Sequence, residues 1–206
     1  MITNLNRLQG VQGRPSPLGY RQQNFGIANR VDEAKATGSG ALTKAEIPDP
    51  LGIRKKYADA PVVISCLDRI WRAVRKFNQQ DGKEPLNLAG ANLSALNDVR
   101  DNDGVHVNLQ SYILSLGAKR QYPLDGADLD GAILCGVCLN QTHLTGVNLS
   151  RAHLTRADLT GANLFRACLL GAYLYKGSEK ITGNELREYL KTEFPTITGL
   201  DSAKFE

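Results

Sequence analysis

The chain has 206 residues, 42% of them hydrophobic but only 6% aromatic, and it carries a formal net charge of +4. It has no apolar run near the roughly 20 residues of a membrane-spanning helix, and its first residues lack the apolar core of a secretory signal peptide, so neither is predicted. Its four cysteines show no pattern of a secreted disulfide scaffold. We therefore expect a reducing compartment and a cytoplasmic location.

Residues 1–50 are rich in Gln, Asn, Gly, Pro and Ser and show no sustained periodicity. Such a segment buries too little apolar surface to offset the entropy of ordering, which predicts a flexible polar N-terminal leader. Residues 1–85 contain 14 Lys/Arg and 8 Asp/Glu, whereas residues 86–206 contain 11 and 13. The two parts of the chain are therefore expected to have different roles.

Residues 51–85 are predicted to form a helical N-terminal cap. Within them, residues 61–80 have one apolar helical face, formed by Leu67, Ile70, Trp71, Val74 and Phe77. Basic residues lie elsewhere on this helix, at Arg69, Arg72, Arg75 and Lys76. A basic amphipathic helix can bind a membrane surface or an acidic partner. We prefer the interpretation that the apolar face covers the first of the repeats that follow.

Residues 127–176 consist of ten consecutive pentapeptides. The residue two positions before each centre is small: seven alanines, two valines and Thr142. The closing position is glycine in five units. Such strict periodicity marks an internal repeat. The repeat centres are all leucine: Leu129, Leu134, Leu139, Leu144, Leu149, Leu154, Leu159, Leu164, Leu169 and Leu174.

A period of five fits neither an α-helix nor a flat strand. On a helix, successive leucines would be rotated by about 140° and would form no stripe, whereas on a flat strand they would alternate between faces. They share one side only if the chain turns a corner in every pentapeptide. Four corners close a coil, and coils stack at the strand spacing of about 4.8 Å. Leucines and small residues then fill a narrow interior, and glycine suits the corners.

The A-(D/N)-L-x-x pattern of the pentapeptide-repeat family, which this sequence resembles, is reproduced at 127–129, 157–159 and 162–164. The resemblance implies an all-β solenoid, a right-handed quadrilateral β-helix, over residues 86–176. The predicted fold class is this β-helix with an N-terminal amphipathic helix cap and a short C-terminal helix. The resemblance also implies that two copies can pair through the ends of the β-helix as a homodimer.

The repeat begins at 86–88 and 91–93, before a loop insertion near 97–121 interrupts it. Inside the insertion, residues 98–104 are polar and turn-rich, which indicates a loop. Val107-Asn108-Leu109 continues the pattern, and residues 117–121 are expected to form a second corner or loop.

The period is lost in the last segment, residues 177–206, which we predict to be a short helix and a C-terminal cap. Asn184 is expected to cap a helix over residues 185–194, which Pro195 terminates. After this excursion the chain is expected to rejoin or cap the stack, because open ends of a repeat array need covering.

Cys135 and Cys138 form a CxxC motif, but they lie inside the repeat and not at a helix N-terminus. No second CxxC completes a zinc site, so we interpret them as two outward-facing thiols. The three histidines form no catalytic set, and a coil of four pentapeptides stacks His153 under Tyr173. We therefore predict no enzyme activity and no catalytic, cofactor-binding or metal-binding residues.

Polar side chains remain to be explained at two kinds of outward position. Asp or Asn directly before the leucine is expected to bond to neighbouring backbone at the corner. Basic residues at closing positions are the candidates for an interaction surface: Arg151, Arg156, Arg166 and Lys176.

These features favour a non-enzymatic protein–protein interaction scaffold with protein partners, no nucleic-acid partner and no cofactor. One alternative is a bacterial effector exported by a specialised secretion system, since several pentapeptide-repeat effectors have a polar leader resembling residues 1–50. The other is a modulator of DNA gyrase or topoisomerase that mimics DNA. Mimicry needs a strongly negative surface, whereas residues 122–176 hold four Asp and four Lys/Arg, which disfavours it.

Overall fold

A computed structural model describes residues 47–206. The predicted leader, residues 1–50, lies outside the described residues except for 47–50. The described helices are α1 (Ile53–Lys56), α2 (Pro61–Gln79), α3 (Leu109–Ser115) and α4 (Gly183–Glu193), and 3₁₀-helical turns span Ser94–Asp98 and Leu200–Ser202. The strands are β1 (Tyr173–Lys176) and β2 (Glu179–Thr182), paired antiparallel with Tyr173 opposite Thr182.

The pentapeptides are stacked in parallel with a register of twenty residues. Asp128 pairs with Asn148, which in turn pairs with Cys168, and Ile133, His153 and Tyr173 form a second such series. Backbone hydrogen bonds join the layers in both directions, as when Leu129 N donates to Asn148 O at 2.8 Å and Asn148 N donates to Ala127 O at 2.9 Å. Four pentapeptides therefore return the chain to the same lateral position, one layer further on.

The prediction of an all-β solenoid is confirmed only in part within residues 47–206. Each side of the stack contributes a single paired residue, which is too short to count as a strand, and β1 and β2 are the only strands in this range. The regular elements are mostly helices that flank or interrupt the repeat. The extended hydrogen bonding of the repeat is real, but it is distributed over isolated parallel bridges.

The interior of the stack is apolar and closely filled. All ten repeat-centre leucines are buried, and so are the small residues two positions before them. Burying a leucine side chain contributes roughly 1.5–3 kcal/mol. Thr142 is the polar exception in this series and is fully buried. Its hydroxyl accepts from Asn108 Nδ2 at 3.2 Å and donates to Asn140 O at 3.4 Å, so the group is satisfied.

Each closing position from 131 to 171 adopts left-handed backbone, with φ between 54° and 68°. Five of these positions are glycine, as the corner argument requires. The other four have side chains in a conformation that costs roughly 1–2 kcal/mol relative to the right-handed one, which the glycine pattern alone did not predict. These residues are Gln141, Arg151, Arg156 and Arg166.

Helix α2 buries the five apolar residues that its spacing placed on one face, together with Cys66. It packs against the 3₁₀ turn at 94–98 and against α3. Arg69 donates to Ala89 O at 2.9 Å and Asn78 donates to Gly117 O at 2.8 Å. Polar side chains of the helix are thus hydrogen-bonded to the first repeat and to the insertion.

The insertion contains a helix that the repeat-based prediction missed. Asn108 keeps the parallel register by pairing with Cys138, and its side chain then accepts from Ser111 N at 3.0 Å, which caps α3. The sequence contained a signal for this helix, because Leu109, Tyr112 and Ile113 lie at helical spacing. In the structure all three side chains are fully buried.

The C-terminal segment also departs from the prediction. The β1–β2 hairpin was not foreseen, and because β2 leads directly into α4, the helix begins at Gly183 with Thr182 as its N-cap residue. Asn184 is therefore inside the helix, and its Nδ2 donates to Glu206 at 2.7 Å. The helix ends before Pro195, as predicted. The chain then rejoins the stack, where Thr198 pairs with Asn163 and Lys204 pairs with Cys168.

Candidate interaction surface

The structure does not bring the four predicted basic residues into one patch. Arg151 is engaged by Asp130 in an ion pair. Arg166 lies on another corner, with its guanidinium 5.0 Å from the centroid of the exposed Phe165 ring. Arg156 and Lys176 are twenty residues apart and so share one column of the stack, as the sequence predicts. Among the four, only these two share a column.

A groove runs between this column and helix α4 and has a volume of about 370 Å³. We call it the tyrosine groove. Tyr175 is 43% exposed, and Tyr189 and Phe194 are half-buried. The ammonium of Lys176 lies 5.9 Å from the centroid of the Tyr189 ring. The charged and aromatic residues that line it are Arg156, Asp158, Tyr175, Tyr189, Glu193 and Phe194.

The tyrosine groove continues into an aromatic cluster on the adjacent side of the stack. His153 and Tyr173 are stacked with centroids 4.6 Å apart, which confirms the predicted pairing. Tyr175 stands edge-on to both rings, at 5.7 and 5.8 Å. Lys180, which β2 places over this cluster, has its ammonium 4.3 Å from the Tyr173 centroid. Edge-on and cation–π contacts of this kind fix the rings, so they are presented in one orientation.

Partial burial, with the charge of Glu193 as a second cause, raises the pKa of the Tyr189 hydroxyl. The hydroxyl is therefore protonated at neutral pH and can donate a hydrogen bond into the tyrosine groove. Arg156 and Lys176 add cationic donors, and Asp158 and Glu193 add acceptors. The groove thus combines an apolar floor with charges of both signs.

A second exposed aromatic lies away from the tyrosine groove. Phe165 is 42% exposed beside Arg166 and the C-terminal segment, but it has no neighbouring exposed tyrosine. Tyr122 and His143 stack at 3.7 Å on the same side of the stack. Phe165 and Arg166 combine an exposed aromatic ring with an arginine, as Tyr175 and Arg156 do, but they do not line the tyrosine groove.

Asp and Asn before the repeat leucines have the structural role predicted for them. The Asp128 carboxylate accepts from Asp130 N at 3.1 Å, and Asn148, Asp158 and Asn163 accept in the same way from the backbone N–H two residues on, at 3.0–3.1 Å. Each of these hydrogen bonds ties a side chain to the backbone of the corner that follows it. No carboxylate dyad results from them.

The CxxC cysteines have separate surroundings. Cys138 was predicted to face outward but is buried, with its Sγ 3.3 Å from Asn140 Oδ1. Cys135 is half-buried and its Sγ lies 3.2 Å from His153 Nδ1. Burial raises the pKa of both thiols. Within residues 47–206, no group of three or more His, Cys, Asp or Glu side chains is placed to hold a metal ion.

Five-residue units, a twenty-residue register and a filled interior define a repeat protein. Residues 124–151 and 142–176 match the family model described as pentapeptide repeats, in eight copies. Residues 124–176 are therefore pentapeptide repeats, which supports a role as a repeat-protein scaffold.

Two solved structures share local sequence similarity with the chain. A pentapeptide repeat protein (Rfr23) from the cyanobacterium Cyanothece 51142 is 36% identical over 26% of this chain and 40% of its own, with a TM-score of 0.20. One from the Arabidopsis thaliana thylakoid lumen is 29% identical over 32% of this chain and 59% of its own, with a TM-score of 0.15. The chain thus spans 40% of the length of the first of these proteins and 59% of the second.

TM-scores of this size support no inference about fold or function, so the assignment rests on the repeat register and the family match. No curated protein matches the chain. Among the helices within residues 47–206, none combines the length and the hydropathy needed to span a membrane.

Proposed function

We propose that this protein is a non-enzymatic protein-interaction scaffold that binds a protein partner at the tyrosine groove. The observation that carries the proposal is the convergence of Tyr175, Tyr189 and Phe194 with Arg156 around one open groove. Tyrosine and arginine are the residues in which binding energy at protein interfaces concentrates. Here they are held on a fixed framework, so little conformational entropy is lost on binding.

The proposed architecture supports this role. We infer that residues 86–176 form a right-handed quadrilateral β-helix, that residues 51–85 cap its first coil, and that residues 177–206 close its last one. A rigid stack of this kind presents side chains from successive layers at fixed spacing. The interior is filled with leucine and offers no cavity for a substrate, so binding takes place on the outside.

The groove favours a partner that combines an apolar anchor with polar groups. Its floor is aromatic, and its rim carries both cations and carboxylates, at Arg156, Lys176, Asp158 and Glu193. A complementary segment would insert an apolar anchor between Tyr175 and Tyr189 and pair polar groups with the rim. Such a surface does not resemble the uniformly negative one that DNA mimicry requires.

The test is partner capture with matched variants of the full chain. The groove variant is Tyr175→Ser with Arg156→Ser, and the control variant is Phe165→Ser with Arg166→Ser, which removes an equally exposed aromatic and an arginine from another corner. Thermal unfolding verifies that both variants are folded. We expect the native chain and the control variant to retain at least one protein. The affinity of that protein for the groove variant should be lower by about tenfold or more, and tenfold is equivalent to about 1.4 kcal/mol.

Equal capture by all three chains would contradict the proposal. Sedimentation of the same three proteins distinguishes binding of a second copy from binding of another protein. If the native chain and the control variant dimerise and the groove variant does not, the partner is a second copy.

A further inference from the structure

Cys135, His153 and Thr155 are joined by hydrogen bonds on one side of the stack. Cys135 Sγ lies 3.2 Å from His153 Nδ1, and His153 Nε2 lies 2.7 Å from Thr155 Oγ1. The imidazole is held flat by stacking on Tyr173. Thr155 is itself fixed, because its hydroxyl oxygen accepts from Tyr175 N at 2.8 Å.

This arrangement follows from the register. Ile133 pairs with His153, so Cys135, two residues along the same side, is the diagonal neighbour of the imidazole in the next layer. A nucleophile next to a base, with the base oriented by a third group, is the arrangement that activates weak nucleophiles. In the tautomer that carries its proton on Nε2, His153 donates to Thr155 Oγ1 and its Nδ1 is free to accept the thiol proton.

The pKa shifts of the two groups disfavour a standing thiolate–imidazolium pair, so His153 can act only as a general base that takes the proton as the new bond forms. Burial lowers the pKa of the His153 imidazole, and the charge of Lys180 lowers it further. Burial raises the pKa of the Cys135 thiol. At neutral pH the pair is therefore a thiol beside a neutral imidazole, with the proton still to be transferred.

We propose that Cys135 is a modification site for small soft electrophiles of the α,β-unsaturated carbonyl class, with His153 as the proton acceptor. As Sγ bonds to the β-carbon, the carbon–carbon π bond breaks and its electron pair moves to form an enolate. The thiol proton passes to Nδ1 and is then delivered, directly or through water, to the α-carbon. The net change is addition of S–H across the double bond, and no oxidant or reductant is consumed.

The chain provides an internal control in Cys168. It is also half-buried on an outward position, and its Sγ lies 3.2 Å from Ser150 Oγ. A serine hydroxyl cannot accept the proton at neutral pH. The two thiols thus share partial exposure and a polar partner, and they differ in whether that partner is a base.

The probe is N-ethylmaleimide, whose activated double bond takes up a thiol, applied to the full native chain at pH 7, with the modified fraction of each cysteine followed by peptide mass spectrometry. We expect Cys135 to react at least about tenfold faster than Cys168, which is less than the roughly 10²–10⁴-fold that a positioned base supplies in enzymes. The variant His153→Phe keeps a ring on Tyr173 but removes the base. It should bring the Cys135 rate down to that of Cys168 and leave Cys168 unchanged.

The pH profile is the second measurement, since it does not depend on any variant folding. The groups facing His153 are Cys135, Thr155, Tyr173, Tyr175 and Lys180. The rate at Cys135 should rise with the deprotonation of His153, whose pKa lies below its ordinary value of about 6.5, whereas the rate at Cys168, which has no imidazole beside it, should show no step in that range. Equal rates and parallel profiles for the two cysteines would overturn the proposal.

Discussion

Arg151 reaches across one layer of the stack to hold Asp130 with a two-pronged ion pair. Its Nε donates to Asp130 Oδ1 at 2.9 Å and its Nη2 donates to Oδ2. The register explains the contact, because the position below Arg151 is Gly131, the residue next to Asp130. A side chain at a strained corner thereby gains a partner, and this arginine is not available to an external ligand in the way that Arg156 is.

The first prediction concerns the variant Arg151→Gln. Hydrogen bonding to Arg151 and the charge of that arginine hold the pKa of the Asp130 carboxyl below its usual range, so the variant should raise this pKa towards about 3.9. A depressed folded-state pKa stabilises the fold above the unfolded value, and the stabilisation is lost as pH falls through the lower folded value. NMR titration of the Asp130 carboxyl measures the shift. An unchanged titration would show that the ion pair does not persist in solution.

The second prediction concerns the left-handed corner at Arg156, where φ is 60°. Within residues 47–206, Arg156 forms no ion pair. Arg156→Gly should therefore relieve backbone strain and raise the free energy of unfolding by about 0.5–1 kcal/mol, after the entropy of the added glycine is subtracted. Arg156→Ala is the control, because it removes the same guanidinium and keeps the strain. Urea unfolding should rank glycine above alanine, and the reverse order would refute the corner argument.

The third prediction concerns the width of the interior at Ala152, which is fully buried two residues before Leu154. Val137 and Val147 occupy the equivalent position in other pentapeptides, so Ala152→Val should cost little. Ala152→Leu adds a large side chain at a position where no pentapeptide from 127 to 176 has one, and it should cost roughly 1–3 kcal/mol or prevent folding. Leu154→Ala opens a cavity in the same layer and should cost about 2–5 kcal/mol.

Thermal and urea unfolding of the three interior variants provide the comparison. A small loss for valine beside large losses for the other two supports a narrow, filled interior. If Ala152→Leu is as stable as the native chain, the layer has spare volume and the packing argument fails.

The repeat itself could be predicted from the sequence because one physical requirement recurs in every unit. Leucine at each centre needs a dry interior, and the period of five permits it only with regular corners. The same register correctly placed His153 under Tyr173 and continued through Asn108 to Cys138. It predicts which residues lie one above another even where the side chains are unrelated.

Other features depend on contacts that a periodic pattern does not encode. Gln141 and Arg151 occupy left-handed corners whose backbone is bonded to the next layer, since Gln141 N donates to Thr160 O at 2.7 Å and Arg151 N donates to Leu170 O at 2.8 Å. Cys138 is buried because Asn108 and the insertion cover its side of the stack, although its position in the repeat is outward. The tyrosine groove exists only because α4 folds back beside the Arg156 column, and the spacing of Tyr189 from Tyr175 along the chain contains no sign of this.

The last prediction concerns Gly199, where the C-terminal segment rejoins the stack. A Cβ atom there would lie 2.2 Å from Phe165 N and 2.6 Å from its Cα, and the backbone is left-handed, with φ of 79°. Gly199→Ala should therefore displace the segment. Gly126→Ala is the matched control, since Gly126 has a φ of 66° and nothing within 4 Å of the added Cβ.

Both glycine variants incur the left-handed penalty of roughly 1–2 kcal/mol, but only Gly199→Ala also forces backbone atoms apart. Hydrogen exchange measures the difference locally. The amides of Thr198 and Lys204 donate to Ala162 O and Ala167 O at 3.0 and 2.9 Å, so they should lose protection in Gly199→Ala and keep it in Gly126→Ala. Equal protection in the two variants would mean that the segment does not pack on the last layer, and α4 would then lack the support that holds Tyr189 opposite Tyr175.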